Sequence, residues 1–301
     1  MSEHKLTANP THSRWNRDLA PRLTIASGDT VHFECEDSSG AQVTPQTTVE
    51  TFQQIDRGKI HALTGPVAVH NAQPGDTLQI DVLGVDHLGW GWSSIIPGLG
   101  FLKERFASPF FFPWALDKDT TSSLAPAIVP LQPFCGIMGV APDEPGELRT
   151  RPPGVFGGNM DVRELSTGAT LYLPVQVAGA LFSCGDAHAA QGDGEVCINA
   201  LETCLTGTFT LILHRGADGA EPLRYPRAET PTHFISMGMN SDLDQAMKQA
   251  LREMIRFICA RTNLSRQEAY QLCSLAVDFR VTQTVNGEKG VHGMLKRGLL
   301  F

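Results

Sequence analysis

Four times along this chain a small turn leads straight into alternating apolar and polar residues: LTIASGDTVHFECED, AVHNAQPGDTLQIDVLGV, ELSTGATLYLPVQV and CLTGTFTLILHR. A period of two places every second side chain on one face of a strand, so each run can cover a core on one side and meet water on the other. After Pro74-Gly75-Asp76, for example, Leu78, Ile80 and Val82 share a face. Ser-Gly-Asp, Pro-Gly-Asp and Thr-Gly supply the reversals. Repeated units of this kind predict a mainly β chain with a jelly-roll-like antiparallel β-sandwich at its centre. The 29 glycines and 19 prolines among 301 residues fit many short strands better than long helices.

Two regions depart from that pattern. From about residue 87 to 153 the chain is rich in Gly, Pro, Trp and Phe (GWGWSSIIPGLGFL, SPFFFPWALD) and holds no period, which reads as an excursion of loops and short elements. Its aromatics, Trp90, Trp92, Phe110, Phe111 and Phe112, either pack beneath the loop or line a pocket. From about 230 to 301 the pattern reads as an α+β portion appended to the sandwich, so that residues 1–301 form a single domain. Within it, residues 241–276 carry helical spacing: Leu243, Met247, Ala250, Leu251, Met254, Ile255 and Ile258 recur on one face. Ser241 to Asp244 and Ser265 to Glu268 read as capping boxes, and Asn263 as a left-handed stop between two helices. DFRVTQTVNGEKGVHGML then reads as a hairpin turning at Asn286-Gly287.

Several function classes are disfavoured. The formal charge of −8, with no basic cluster, argues against a phosphate-backbone partner. No uncharged apolar run approaches the roughly 20 residues of a spanning helix, and MSEHKLTANPTHSRW lacks a signal-peptide core. Seven scattered cysteines without a C-x-x-C pair suggest neither a disulfide framework nor a thiolate zinc site. These features predict a cytoplasmic chain with no nucleic-acid or membrane partner. A homodimer is the default for a sandwich with sheet edges.

The densest polar chemistry lies in LFSCGDAHAAQGDGEV. Asp186 and His188 are two residues apart and would share a strand face, a workable divalent-metal pair, and Glu195 can return to them through Gln191-Gly-Asp-Gly194. Upstream, GVFGGNMDVREL sets Asn159 and Asp161 in the same relation after a double glycine. Surface turns are also built from Gly and Asp, so the spacing is read two ways, as a polar turn or as a metal site. His12, His61, His70 and His292 sit in polar or glycine-rich surroundings, each with a structural reading beside a pocket-facing one. Cys184 precedes Gly185-Asp186 outside any nucleophile elbow, and is either a thiolate or a small apolar residue.

GVFGGNMDVREL and GATLYLPVQVAGALFSCGDAHAAQGDGEV resemble the signature region of the acetamidase/formamidase family. The likeness continues through THSRWNRDLAPRLTIASGDTV, HALTGPVAVHNAQPGDTLQIDVL and SRQEAYQLCSLAVDFRVTQTVNGEKGVHGML, nearly the whole chain. It implies a jelly-roll-like β-sandwich and hydrolysis of a small-molecule amide to carboxylate and ammonia, with some relatives acting on lactams. It also implies a divalent metal, zinc ahead of calcium. Carried over by position, Asp161, Asp186 and His188 hold the ion, while Glu195 and Asn159 are catalytic. His12, Asn16, His61 and His292 fall in other matching segments as substrate-binding candidates, together with Trp90 and Trp92. Where relatives carry an acid before the Pro-Gly-Asp turn this chain has His70, and the acid expected after the first strand is Glu34, Glu36 or Asp37.

Amides resist hydrolysis because the nitrogen lone pair delocalises into the carbonyl and nitrogen leaves poorly unless protonated. A metal at Asp161, Asp186 and His188 would acidify water and polarise the carbonyl. Glu195 would move the proton and Asn159 would orient the amide. Two other readings stay open: a cysteine amidase using Cys184, and a non-catalytic β-sandwich that binds a small ligand.

Overall fold

In the computed structural model, which describes residues 1–216 and 222–300, the alternating runs form the backbone of a nine-stranded sheet. Its order is Glu3–Leu6, Thr30–Cys35, Leu205–His214, Thr77–His87, Thr170–Pro174, Arg227–Glu229, His233–Asn240, Lys289–Lys296 and Val277–Gln283. All neighbours are antiparallel except the first pair, which is parallel. Burial alternates residue by residue through Thr30–Cys35 and most of Leu205–His214, because only one face of these strands meets the core.

The second large sheet runs Gly157–Asn159, Phe134–Gly139, Phe182–Ala190, Leu201–Glu202, Trp90–Ile95 and Phe110–Ala115. Leu63–Val69 also pairs with Phe182–Ala190, and Leu23–Ile25 joins it in parallel. Phe33, Ile80, Leu171 and Phe209 of the first sheet share one buried cluster with Val67, Met138, Phe182 and Cys184 of the second. Strands of this second sheet are covered on both faces: Leu63–Val69 and Phe134–Gly139 are buried at every residue. Within 87–153 that full burial removes any alternation from Phe134–Gly139. Among its loops the stretch holds short strands, including a hairpin (Trp90–Ile95 with Phe110–Ala115) and the wholly buried Phe134–Gly139.

The C-terminal helices form as their spacing predicts, at Leu243–Arg261 and Arg266–Ala276. The first lays Ala246 and Ala250 against Val291, and its backbone approaches so closely that a Cβ on Gly238 would stand 2.0 Å from the Ala246 carbonyl oxygen. Two boundary details differ from expectation. Asp242 rather than Ser241 caps the first helix, accepting from the Gln245 N–H, and the helix ends on an extended Thr262 whose hydroxyl bonds the Ile258 carbonyl, not on a left-handed Asn263. The Ser265–Glu268 capping box is present. Among the described residues no helix is long and apolar enough to cross a membrane.

Candidate active site

The Phe182–Ala190 strand carries the centre of the site, and its alternation changes phase at Asp186. Phe182 and Cys184 face the intersheet core, then Ala187 does. Asp186 itself has φ +54°, in the left-handed region. The neighbouring Phe134–Gly139 strand shifts in step, with Cys135 and then Met138 turned to the core. The phase change leaves Asp186 and His188 together on the outer face, under the covering loops. Asp161 (φ +52°) and Glu195 (φ +43°) are left-handed as well. Such backbone is costly for residues other than glycine and concentrates at functional sites.

His188 is the hub. Its Nε2 lies 3.6 Å from Asp186 Oδ1 and 3.3 Å from Glu202 Oε1, while Nδ1 lies 3.8 Å from Asp161 Oδ1. Nδ1 also lies 3.1 Å from the side-chain oxygen of Gln191, which only accepts, so Nδ1 carries a proton and Nε2 turns toward the carboxylates. The Gln191 amide nitrogen donates to the Asp161 carbonyl at 2.9 Å, fixing both partners. Above them His61 Nε2 stands 4.0 Å from Asp186 Oδ2. Gly136 makes room below: a Cβ there would meet Asp161 Oδ1 at 2.4 Å and His188 Cε1 at 2.8 Å.

Electrostatics follow from burying four carboxylates around one imidazole. Burial pushes the Asp161 carboxyl up to about 7 against the pull of His188, and burial together with Asp161 holds Glu195 well above the ordinary carboxylate range. For Asp186, burial is outweighed by His61 and His188, and its carboxyl sits low. Burial works to lower His188, and Glu202 and Asp186 overcome it and raise it.

The residues fit a divalent cation. Ligand atoms of Asp161, Asp186 and His188 lie within 4.8 Å of one another, as do those of His188, Glu195 and Glu202. Asp161 Oδ1, His188 Nε2, Glu195 Oε2, Glu202 Oε2 and Asn159 Oδ1 are buried without a hydrogen-bond partner. Buried polar atoms ordinarily have partners, and carboxylate oxygens with an imidazole form a donor set that divalent ions accept.

The family model for the Acetamidase/Formamidase family matches residues 2–147 and 144–291. The chain belongs to the acetamidase/formamidase family. An acetamidase of Bacillus halodurans of known structure is 34% identical and superposes with a TM-score of 0.92 over 98% of both chains. The formamidase of Methylophilus methylotrophus is 28% identical over 79% of this chain and 74% of its own length. For the acetamidase of Mycolicibacterium smegmatis the figures are 27%, 63% and 62%, so the match spans less than two thirds of that enzyme.

In this acetamidase/formamidase-family chain, Asn159, Asp161, Asp186, His188 and Glu195 come together, and Asn159, Asp186 and Glu195 line one cavity of about 390 Å³ with His61 and Trp92. The other substrate-binding candidates lie away from that cavity. His12 is held between the Arg14 carbonyl and the Ser183 hydroxyl, and Asn16 accepts from the Asp18 N–H in a turn. His70 is exposed on the surface, so its replacement of an acid leaves the cluster untouched. His292 is buried beside Thr282 and Glu164, and half-buried Trp90 packs against the cluster of Val43, Phe52, Trp92 and Phe111 without lining the cavity. Phe110 is exposed and Phe111 is packed. Cys184 is no nucleophile: it lies wholly buried between the sheets, 3.7 Å from Cys35 Sγ, and burial raises its thiol well above the ordinary value. Cys35, Cys135 and Cys184, far apart in sequence, converge there.

Glu202, Gln191 and Asn286 escaped the sequence reading, and Asp37 was one of three acids it left open. Glu202 sits among apolar neighbours in INALETCL, the one signal that its carboxylate is buried. Asp37, alone of the three acids in its segment, is fully buried, and burial with Glu202 nearby raises it to about 6. Gln191 and Asn286 gave no local signal. Asn286 donates to Asp161 Oδ2 at 2.5 Å and to the Asn159 carbonyl at 3.2 Å. The hairpin bearing Asn286 also holds the Glu195 turn: the Thr284 N–H and hydroxyl both donate to the Gly194 carbonyl, and Arg280 Nε reaches Asp193 Oδ2 at 2.7 Å.

Proposed function

We propose that this chain hydrolyses the C–N bond of small linear amides, giving carboxylate and ammonia, at a divalent-cation site formed by Asp161, Asp186, His188 and Glu202. The convergence of unpartnered, buried carboxylate and imidazole atoms in a chain of the acetamidase/formamidase family carries the reading. Zinc, for which imidazole is a common ligand, stands ahead of calcium. Bound there, the ion supplies Lewis acidity, polarising the amide carbonyl and acidifying water.

The remaining work falls to the chain's own groups. Glu195, buried and with its carboxyl raised, takes a proton from the attacking water and returns it to the departing nitrogen. A carboxyl held above its ordinary range is a stronger base when ionised and a proton donor once it has gained the proton, which suits both halves of that transfer. Asn159 lines the cavity and donates its amide N–H to the Arg151 carbonyl, which leaves its unpartnered Oδ1 to accept from the substrate NH₂. His61, braced by the Thr150 hydroxyl 3.2 Å from Nδ1, faces the carbonyl side as a hydrogen-bond donor. Trp92 and Ile198 on the same wall limit water around the reacting carbon.

Ammonia release from formamide and acetamide, on protein of known metal content, tests this before chelation, after it, and after restoring Zn²⁺ or Ca²⁺. Turnover is expected to vanish and return with the ion. Undiminished turnover by metal-free protein would remove the cation from the mechanism, and metal-loaded protein that releases no ammonia would leave a ligand-binding site without hydrolysis.

A further inference from the structure

The cavity is much larger than formamide or acetamide requires. Its volume of about 390 Å³ lies in the range, about 300–1,000 Å³, of sites that enclose far larger ligands. Its chemistry is graded. Asp186, Glu195 and Glu202 on its wall are buried, as is Phe52, while the apolar Ile55, Ile96 and Leu99 are half-buried. Three exposed arginines, Arg57, Arg149 and Arg151, are also part of the lining. Among the described residues neither Arg57 nor Arg149 forms an ion pair, while Arg151 donates to the Val285 carbonyl. A chain of net charge −8 thus gathers cationic side chains on the same cavity as its most acidic cluster.

From this grading we infer that the substrate is a terminal amide on an apolar chain of several carbons that ends in a carboxylate, with the amide among the buried acids and the anion at the arginines. A neutral short amide leaves the apolar stretch wetted and the guanidinium groups unused, whereas a guanidinium fork matches a carboxylate. The inference rests on the amidase reading above. Its reaction balances as water plus the monoamide giving the dicarboxylate and ammonium: the carbonyl carbon gains oxygen from water, the C–N bond breaks, and nitrogen leaves with the added protons.

The test compares kcat/KM of the metal-loaded protein for the monoamide of hexanedioate with that for hexanamide and acetamide. A preference of at least tenfold for the anionic amide over hexanamide is expected, shrinking at raised ionic strength. The ratio should collapse in Arg57→Gln/Arg149→Gln. Hexanedioate, the product, should also raise the melting temperature of the wild type more than hexanoate does, and lose that advantage in the double variant. Equal kcat/KM for the anionic amide and hexanamide, or a ratio unchanged in the double variant, overturns the assignment. Acetamide turnover in that case leaves the amidase reading standing. No ammonia from any amide, with the arginine-dependent melting shift intact, overturns the hydrolysis and supports the anion end of the cavity.

Discussion

Asn286 donates its side-chain amide to Asp161 Oδ2 at 2.5 Å, joining the turn of the C-terminal hairpin to a carboxylate that lies 125 residues earlier in the chain. The same nitrogen reaches the Asn159 carbonyl, so one residue sets the position of two others in the cluster. Asp161 Oδ1 is thereby left as the free ligand atom. Replacing Asn286 with Ala should reduce metal affinity or turnover about 10- to 100-fold, the usual loss when a partner that orients a ligand is removed. It should also cost about 1–3 kcal/mol for the unpaired carboxylate oxygen. Metal titration and a melting curve on the purified variant check both, and wild-type metal affinity would show that Asp161 needs no such support.

Gly136 permits the approach of Asp161 to His188, and a methyl group there has nowhere to go. The added Cβ would lie 2.4 Å from Asp161 Oδ1 and 2.8 Å from His188 Cε1. Gly136→Ala should lower turnover by about 100-fold, since ångström misplacement in a site costs that much, and destabilise the fold by about 1–3 kcal/mol. Gly84→Ala, where a Cβ meets nothing within 4 Å, is the matched control. Full activity in Gly136→Ala would mean that the two ligands tolerate separation.

How far these relationships could be read in advance depended on where each strand's faces point. Leu78, Ile80 and Val82 were legible because only one side of their strand is covered, and the helices because period and caps agree. Phe134–Gly139 and Leu63–Val69 are covered on both sides, which erases alternation. The shared strand face of Asp186 and His188 and the short turn returning Glu195 were visible in the sequence, although spacing alone left a polar turn and a metal site both open. Glu202 and Asn286 reach the site only through strand pairing and a distant hairpin, which no local pattern encodes. His61 and His292 look alike in sequence; register turns the first to Asp186 and the second to Glu164.

Glu164 gives a pH-dependent contribution to stability away from the chemistry. Burial alone would raise its carboxyl, but the His292 hydrogen bond and the charges of His292 and Arg280 outweigh burial and hold it at about 2. An unfolded glutamate titrates near about 4.3. A folded value below the unfolded one stabilises the protein at pH above the unfolded value, and the contribution is lost as pH falls from about 4.3 toward about 2. Glu164→Gln should therefore melt below the wild type at pH 7, with the difference narrowing through that acid window. Melting curves of both proteins across the range check the sign, and a constant gap would assign the effect of the substitution to packing.

Ligand atoms of Glu195, Glu202 and His188 all lie within 4.8 Å of one another, yet their surroundings give the two glutamates separate tasks. Glu202 lies 3.3 Å from His188 Nε2, which would hold the ion, whereas Glu195 feels Asp161 most strongly among the neighbouring charges and sits in the left-handed region of a turn. Glu202→Gln removes a charge from the ligand set and should raise the metal dissociation constant, with turnover recovering at excess ion. Glu195→Gln keeps the shape but cannot accept a proton, so kcat should fall about 10²- to 10⁴-fold with metal content near that of the wild type. Elemental analysis beside steady-state kinetics separates the two outcomes. If excess metal restored Glu195→Gln, or failed to restore Glu202→Gln, the assignment of base and ligand would have to be exchanged.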